Sequence, residues 1–325
     1  VDRQSVLGTQ IISPGIFDID NTNTLVPNGG TFTKRRLVGA FYDLTLGYNN
    51  YLFLNTTGRN DWSSTLPVDN RSFFYPSVSL SAVITEALGI DSRVLTNAKI
   101  RASWAKVGND APVYSLYNLF NVNRGANTGL VGAVAENDFP FNGQPGITQS
   151  NVAADPFLTP EFTTEIEFGG RFEFFYGRID LDFSVYKRNS TDQIANISIP
   201  SATGFEQLTT NFGDLQNQGI ELGLRLIPIK LRNSLTWDIY ANFTKNESEV
   251  IELLDGVERI NIRNLFGGGI RPVLQVGQPY GALYGTQTAR DEEGNLLIDP
   301  SSGALFPSLV NNGFGILGDP NPDFT

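Results

Sequence analysis

Between residues 218 and 246 two runs alternate strictly, and few local folds satisfy that pattern. In the first, Ile220, Leu222, Leu224 and Leu226 take the even positions, with Glu221, Gly223 and Arg225 between them. After a short polar break at 228–233, Leu235, Trp237, Ile239, Ala241 and Phe243 alternate with Ser234, Thr236, Asp238, Tyr240, Asn242 and Thr244. A period of two lays one set of side chains on each face of a pleated sheet, whereas a helix would scatter them around its circumference. The stretch reads as an antiparallel hairpin with one apolar and one polar face. Charges lie deep within the polar face, so the question becomes which face meets water.

The same alternation recurs along the chain. Val38, Ala40, Tyr42, Leu44 and Leu46 share a face, as do Leu52 and Leu54 after the turn Tyr48-Asn49-Asn50-Tyr51, with Asn55, Thr57 and Arg59 opposite. Val78, Leu80, Ala82 and Ile84 follow, then Ala98, Ile100, Ala102 and Trp104, after a connection expected to hold a helical turn. Ile166, Phe168, Phe172 and Phe174 oppose Glu165, Glu167, Arg171 and Glu173, and Ile179, Leu181, Phe183 and Val185 oppose Asp180, Asp182 and Ser184. Residues 1–35 are turn-rich and read as an irregular loop with a short strand at 5–12. Connections alternate between short ones, near 48, 90, 176 and 231, and long polar ones at 60–74, 108–160, 189–217 and beyond 247.

About eight strands with short turns on one rim and long loops on the other form the pattern of an outer-membrane β-barrel, apolar outward and polar inward. Tyr48, Phe174 and Trp237 fall near the short-turn rim and Trp104 near the other, where interfacial aromatics belong. The competing architecture is a soluble β-sandwich, in which the charged face would be the outer one. In a barrel fragment the sheet stays open, and 36–47 does not pair with 234–246.

Composition removes several functions. The net charge of -11 leaves no basic stripe for nucleic acid. With no Cys and no His, there is no disulfide framework, no thiol nucleophile and no imidazole base or metal ligand. No cofactor is expected. No run approaches the length of a membrane-spanning helix, which leaves membrane strands open. The chain starts at Val1, contains no Met and stops in a polar stretch, so it reads as a piece of a longer protein.

Several longer motifs carry a resemblance. They are the stretch Gly58-Arg59-Asn60-Asp61-Trp62-Ser63-Ser64-Thr65-Leu66-Pro67 with Phe73-Phe74-Tyr75-Pro76-Ser77-Val78-Ser79 after it, and Lys99-Ile100-Arg101-Ala102-Ser103-Trp104-Ala105-Lys106-Val107-Gly108-Asn109-Asp110. Leu158-Thr159-Pro160-Glu161-Phe162-Thr163-Thr164-Glu165, the run from Asn211 to Leu222 beginning Asn211-Phe212-Gly213-Asp214, and Gly318-Asp319-Pro320-Asn321-Pro322-Asp323-Phe324 complete the set. Together they resemble the SusC/RagA-type TonB-linked outer-membrane proteins of Bacteroidota, with Ala105 where Gly is more usual.

The resemblance implies one partial domain over 1–325, belonging to an antiparallel barrel of roughly 22 strands with a plugged lumen. The plug, the TonB-contacting segment and the last strands would lie outside the chain. It also implies a SusD-like surface lipoprotein as partner, TonB as energy source and an oligosaccharide or peptide as cargo. A secreted glycan-binding or glycan-degrading sandwich is the alternative.

No catalytic constellation emerges. Glu165, Glu167 and Glu173 could suggest paired glycosidase carboxylates, but alternating with Arg171 they read as charges of a barrel wall. Gly267-Gly268-Gly269 lacks the Lys-Ser/Thr of a phosphate loop, and Asp18–Asn23 lacks the glycine and distal Glu of a calcium loop. The long loops hold the binding candidates. Tyr114, Tyr117, Phe120, Phe139, Phe141 and Asn142 supply aromatic faces for sugar rings and an amide for hydroxyls, and Trp62 joins them from its motif.

Overall fold

The computed structural model describes residues 2–15, 21–123, 146–231, 235–262, 269–308 and 313–319. Strands β1 (Asp2–Ile11) and β2 (Thr22–Phe32) pair as a hairpin. Then come β3 (Leu37–Tyr48), β4 (Leu52–Ser63) and β5 (Ser72–Val83), the single helical turn α1 (Ile84–Ala87), and β6 (Leu95–Asn109). Three short strands follow: β7 (Phe120–Asn123), β8 (Gly146–Gln149) and β9 (Val152–Ala153). The long strands resume with β10 (Glu161–Phe174), β11 (Ile179–Ser198), β12 (Gln207–Lys230) and β13 (Thr236–Leu253). The last four are β14 (Arg259–Asn261), β15 (Ile270–Gln275), β16 (Ala282–Thr286) and β17 (Phe314–Gly318).

Eight long strands lie side by side in the order β13-β12-β11-β10-β6-β5-β4-β3, and β9 adds a short parallel pairing to β12. Each long strand pairs antiparallel with its sequence neighbour among the long strands. β3 and β13 are the two edges, so the sheet is open, as the sequence predicts. Between β3 and β4 the turn residues Asn49 and Asn50 both have positive φ, 46° and 58°. That geometry matches the twist of the flanking strands, and Asn tolerates it. β12 slips register between Leu226 and Ile229, where Pro228 has no N–H to give the ladder.

Parity holds across the sheet. Phe183 sits between Gly170 and Leu222, and its ring stacks on Phe172 (6.1 Å between centroids, 4° between planes) and tilts against Phe168 (6.1 Å, 56°). A Cβ at Gly170 would lie 3.1 Å from the Phe183 ring, so this glycine leaves the room the ring fills. On the opposite face the charges pair. Arg101 reaches Glu167 (3.3 Å) and Asp182 (3.0 Å), Arg171 reaches Asp180 (2.6 Å) and Glu173 (3.4 Å), and Arg225 reaches Asp238 (2.8 Å). Arg188 closes on Glu165 at 2.5 Å. The carboxylates that alternate along β10 are thus wall charges met by arginines.

Four loop assignments need correction. Residues 1–35 are not an irregular loop: β1 and β2 pair through their backbones, which needs no side-chain alternation. The polar loops at 60–74 and 189–217 shrink to 64–71 and 199–206, because β4, β5, β11 and β12 run on past the alternating stretch. Where a strand leaves the bilayer both faces meet water, and the period of two disappears from the sequence. The segment after 247 is not loop throughout, since β13 continues to Leu253 and β14–β17 form a four-stranded sheet. Half of the motif at 18–23 lies outside the described residues, and Gly267 and Gly268 lie outside them altogether.

Apolar cores form at the long-loop end rather than mid-sheet. One gathers Ile197, Phe212, Val250, Leu253, Ile260 and Leu274, tying β14 and β15 to the ends of β11–β13. The other gathers Leu66, Phe73, Ala111 and Leu158. An isolated sheet piece has no core between its faces, so buried apolar area concentrates where loops fold back on strands.

Candidate functional site: the long-loop rim

Segments 33–36, 64–71 and 110–119 meet at the rim away from the short turns. Asp110 fastens them. Arg35 grips its carboxylate with both ends of the guanidinium, Nε to Oδ2 at 2.9 Å and Nη2 to Oδ1 at 2.6 Å. Thr65 Oγ1 donates to Oδ2 at 2.9 Å, and the Ser63 hydroxyl donates to the same oxygen. Asp110 keeps only 5 % side-chain exposure while Arg35 keeps 48 %, so the carboxylate is buried and fully bonded and the guanidinium is half in water. A second knot lies on the same strand: Arg59 Nε and Tyr75 Oη both donate to Asp61, at 2.7 and 2.6 Å.

Above this base the chain from Pro112 to Leu119 forms a shelf. Tyr114 has φ of +67°, a left-handed backbone that costs a bulky residue about 1 kcal/mol or more. Its hydroxyl accepts from the Lys34 backbone N–H at 3.0 Å, and its carbonyl accepts from Tyr117 N–H at 3.1 Å. Clefts open on both sides of the shelf. One, of about 330 Å³, is lined by Lys34, Arg36, Ser64, Thr65, Tyr114, Leu116 and Tyr117. The other, of about 430 Å³, runs from Tyr114 and Tyr117 toward Ser150, Ala154, Asn196 and Thr209. Both fall in the range of ligand-sized clefts.

Tyr114 and Tyr117 therefore come together, each lining both clefts. Tyr117 is 68 % exposed, and Phe120, at the start of β7, is 65 % exposed. Phe139, Phe141 and Asn142 lie outside the described residues. Trp62 is elsewhere: near the end of β4 it pairs with Val38 and Ser72 and shares the apolar face with Leu52 and Leu54. Sequence reasoning missed Lys34, Arg36, Ser64 and Thr65, which line the smaller cleft. Ser64 and Thr65 sit inside a quoted motif, but nothing in a polar stretch marks Lys34 and Arg36 as reaching across to residue 114.

The other motifs build the same rim. Asn211 accepts from Thr159 N–H at 2.9 Å and returns its amide to the Thr159 carbonyl at 3.0 Å, locking two motifs together. Asn70 reaches the Leu158 carbonyl at 3.1 Å. A Cβ on Gly213 would lie 2.1 Å from the Glu252 carbonyl oxygen, so only glycine lets β12 and β13 approach there. In the segment 286–308, Asp299 accepts from Ser301 N–H (2.9 Å), Ser301 Oγ (2.7 Å) and Ser302 Oγ (2.5 Å). These bonds, that of Ser302 foremost, hold its carboxyl down to about 2. Among the described residues no group of three or more His, Cys, Asp or Glu is placed to hold a metal ion.

An open, two-faced antiparallel sheet with charges paired on one face, aromatics on the other and loops crowded on one rim is a section of an outer-membrane barrel wall. The chain belongs to the TonB dependent receptor-like β-barrel family, whose model matches residues 5–303. A TonB-dependent receptor of Formosa agariphila is 28% identical over 98% of this chain and 33% of its own length. The TonB-dependent receptor SusC of Bacteroides thetaiotaomicron is 28% identical over 85% of this chain and 28% of its own. The motif resemblance is thereby borne out. A solved structure described as the RagAB peptide importer shares the fold, with a TM-score of 0.68 at 19% identity over 94% of this chain and 33% of that one. The chain spans about a third of the length of the relatives it matches.

Proposed function

We propose that the chain is a partial β-barrel domain, over residues 1–325, of a TonB-dependent importer that takes up an oligosaccharide or peptide with a SusD-like surface lipoprotein. The plug and the TonB-contacting segment would belong to the remainder of the protein. The observation that carries this reading is the tyrosine shelf at the long-loop rim. A preformed pair of clefts there, with exposed Tyr117 and Phe120 beside them, is suited to capture cargo before energy delivered through TonB moves the plug. The relatives named above support the transport class. The RagAB importer supplies the peptide cargo type, and the oligosaccharide follows from the motif resemblance.

Among the sequence candidates, Tyr114, Tyr117 and Phe120 are the proposed capture residues, with Phe139, Phe141 and Asn142 on the same loop. Trp62, on the apolar face, suits an anchor at the membrane interface better than a sugar platform. Deleting residues 113–145 from the full-length protein should weaken cargo binding or co-purification of the lipoprotein. The barrel should remain folded, because β6 and β10 flank the deletion and pair with each other. If a correctly folded deletion variant retains both, the shelf is not part of the capture site.

A further inference from the structure

Three cations stand in a row at 34–36 in a chain of net charge -11, and the structure uses them differently. Arg35 turns to Asp110. Lys34 and Arg36, one residue to either side, line the smaller cleft, and among the described residues neither makes an ion pair. No carboxylate is among the described residues that line this cleft, whose other walls are Ser64, Thr65, Leu116 and the rings of Tyr114 and Tyr117. Two uncompensated cations beside an aromatic face and several hydroxyls make a site for an oxyanion carried on a ring. Amphipathic tyrosine rings cover a sugar face, the Ser64 hydroxyl can bond the sugar's hydroxyls, and Lys and Arg take a carboxylate or sulfate. The apolar part of the wall includes the flat rings of Tyr114 and Tyr117 as well as Leu116, and rings of this kind can cover a sugar face.

We infer that the cleft between Lys34, Arg36 and Tyr117 binds an acidic oligosaccharide, through a uronate or sulfate group on a ring stacked against the tyrosine. This rests on the capture role proposed for the rim and names its cargo class. The charge is local. The chain as a whole repels anions at long range, so attraction operates within about a Debye length, roughly 8 Å at physiological salt.

Lys34→Gln and Arg36→Gln isolate the effect, because the bonds that hold the segment use backbone groups. Lys34 N–H donates to Tyr114 Oη at 3.0 Å, and Arg36 N–H donates to Ser64 Oγ at 2.9 Å. The full-length protein, as wild type and as the double variant, is titrated with a panel of uronate and sulfated tetrasaccharides, their carboxyl-reduced or desulfated counterparts, and glutamate-rich tetrapeptides. Wild type should bind an acidic tetrasaccharide with an affinity that falls as salt rises. The double variant should lose roughly tenfold for that probe, as two exposed charge-assisted contacts would give, and little for the neutral counterpart. Failure of every acidic tetrasaccharide to bind wild type, equal loss for acidic and neutral probes, or preference for the acidic peptides would overturn the inference. Tight binding of a neutral sugar, unchanged in the variant, would sink the charge assignment but leave the capture role standing. Absence of cargo uptake by cells carrying the intact protein would sink the capture role itself.

Discussion

Phe183 offers the sharpest test of which face meets lipid. It lies on β11 four residues from Ile179, the first residue after a short turn. At about 3.3 Å per residue and a tilt near 40°, that is roughly 10 Å into a hydrocarbon band about 25 Å tall. Replacing Phe183 with Arg places a guanidinium near the bilayer midplane, at about 2–4 kcal/mol. It also removes the ring contacts to Phe172 and Phe168 at 6.1 Å each, at about 0.5–1.5 kcal/mol apiece. The expected loss is about 3–7 kcal/mol. Phe183→Leu, which keeps the apolar surface and loses the ring contacts, should cost about 1–3 kcal/mol. Asp182→Asn, one residue away on the other face, leaves Arg101 its contact with Glu167 at 3.3 Å. Asp182 is 47% exposed, so its pair with Arg101 is screened and the change should cost under about 1 kcal/mol. The assay is urea unfolding of the full-length protein refolded into lipid vesicles. Equal costs for Phe183→Arg and Asp182→Asn would refute the facing, and a larger cost for Asp182→Asn would reverse it.

Gly213→Ala should destabilise by about 2 kcal/mol or more, since its methyl would meet backbone that cannot swing aside. Gly223→Ala, whose Cβ finds its nearest atom at 3.6 Å, should be near neutral, and matching melting temperatures for the two variants would contradict the close approach. Asp110→Asn should cost roughly 1.5–3 kcal/mol by removing the charge from the bonds made by Arg35, Ser63 and Thr65. The change should speed proteolysis of the segments around 34–36 and 64–71, and an unchanged cleavage rate would count against the knot as their fastening. For Asp299 the folded carboxyl titrates near 2 against an ordinary 3.8. Its contribution to the stability of the turn is therefore complete above 3.8, declines as pH falls and is lost as pH passes through about 2. An NMR titration of its carboxyl carbon with a midpoint near the ordinary value would show that Ser301 and Ser302 do not hold it.

The legible part of the fold is the part the bilayer constrains. From Ile179 to Val185 and from Ile220 to Leu226 one face must be apolar, so the sequence carries a period of two and the strands can be read directly. From Asn189 to Ser198 the same strand continues in water. Its partners Gln216, Leu215 and Asn211 are chosen by backbone pairing, and no alternation survives to reveal them. Of the first hairpin, the strand expected at 5–12 falls largely in β1, while β2 escaped because backbone pairing needs no side-chain alternation. At the rim, Tyr114 and Tyr117 were legible as exposed aromatics on a long loop, but the walls they face were not. The Arg35–Asp110 pair spans 75 residues, and a charged residue in a polar stretch gives no sign of which distant partner it will meet.

The motifs that betray the family turn out to be fastenings more than contact surfaces. Ser63 and Thr65 bond Asp110, Asn211 bonds Thr159, and Gly213 admits Glu252, so each of these joins the chain to a segment far away in sequence. A barrel wall above the membrane has no bilayer to order it and little core, so its loops hold their positions through such knots and the two small apolar clusters. The residues that meet the clefts sit between the knots: Lys34 and Arg36 flank Arg35, and Tyr114 and Tyr117 follow Asp110. This arrangement lets the cleft lining change without loosening the rim, because a substitution at 34, 36 or 117 breaks none of the bonds that fasten it. Under the capture role proposed above, cargo preference would reside in a handful of side chains set on this frame.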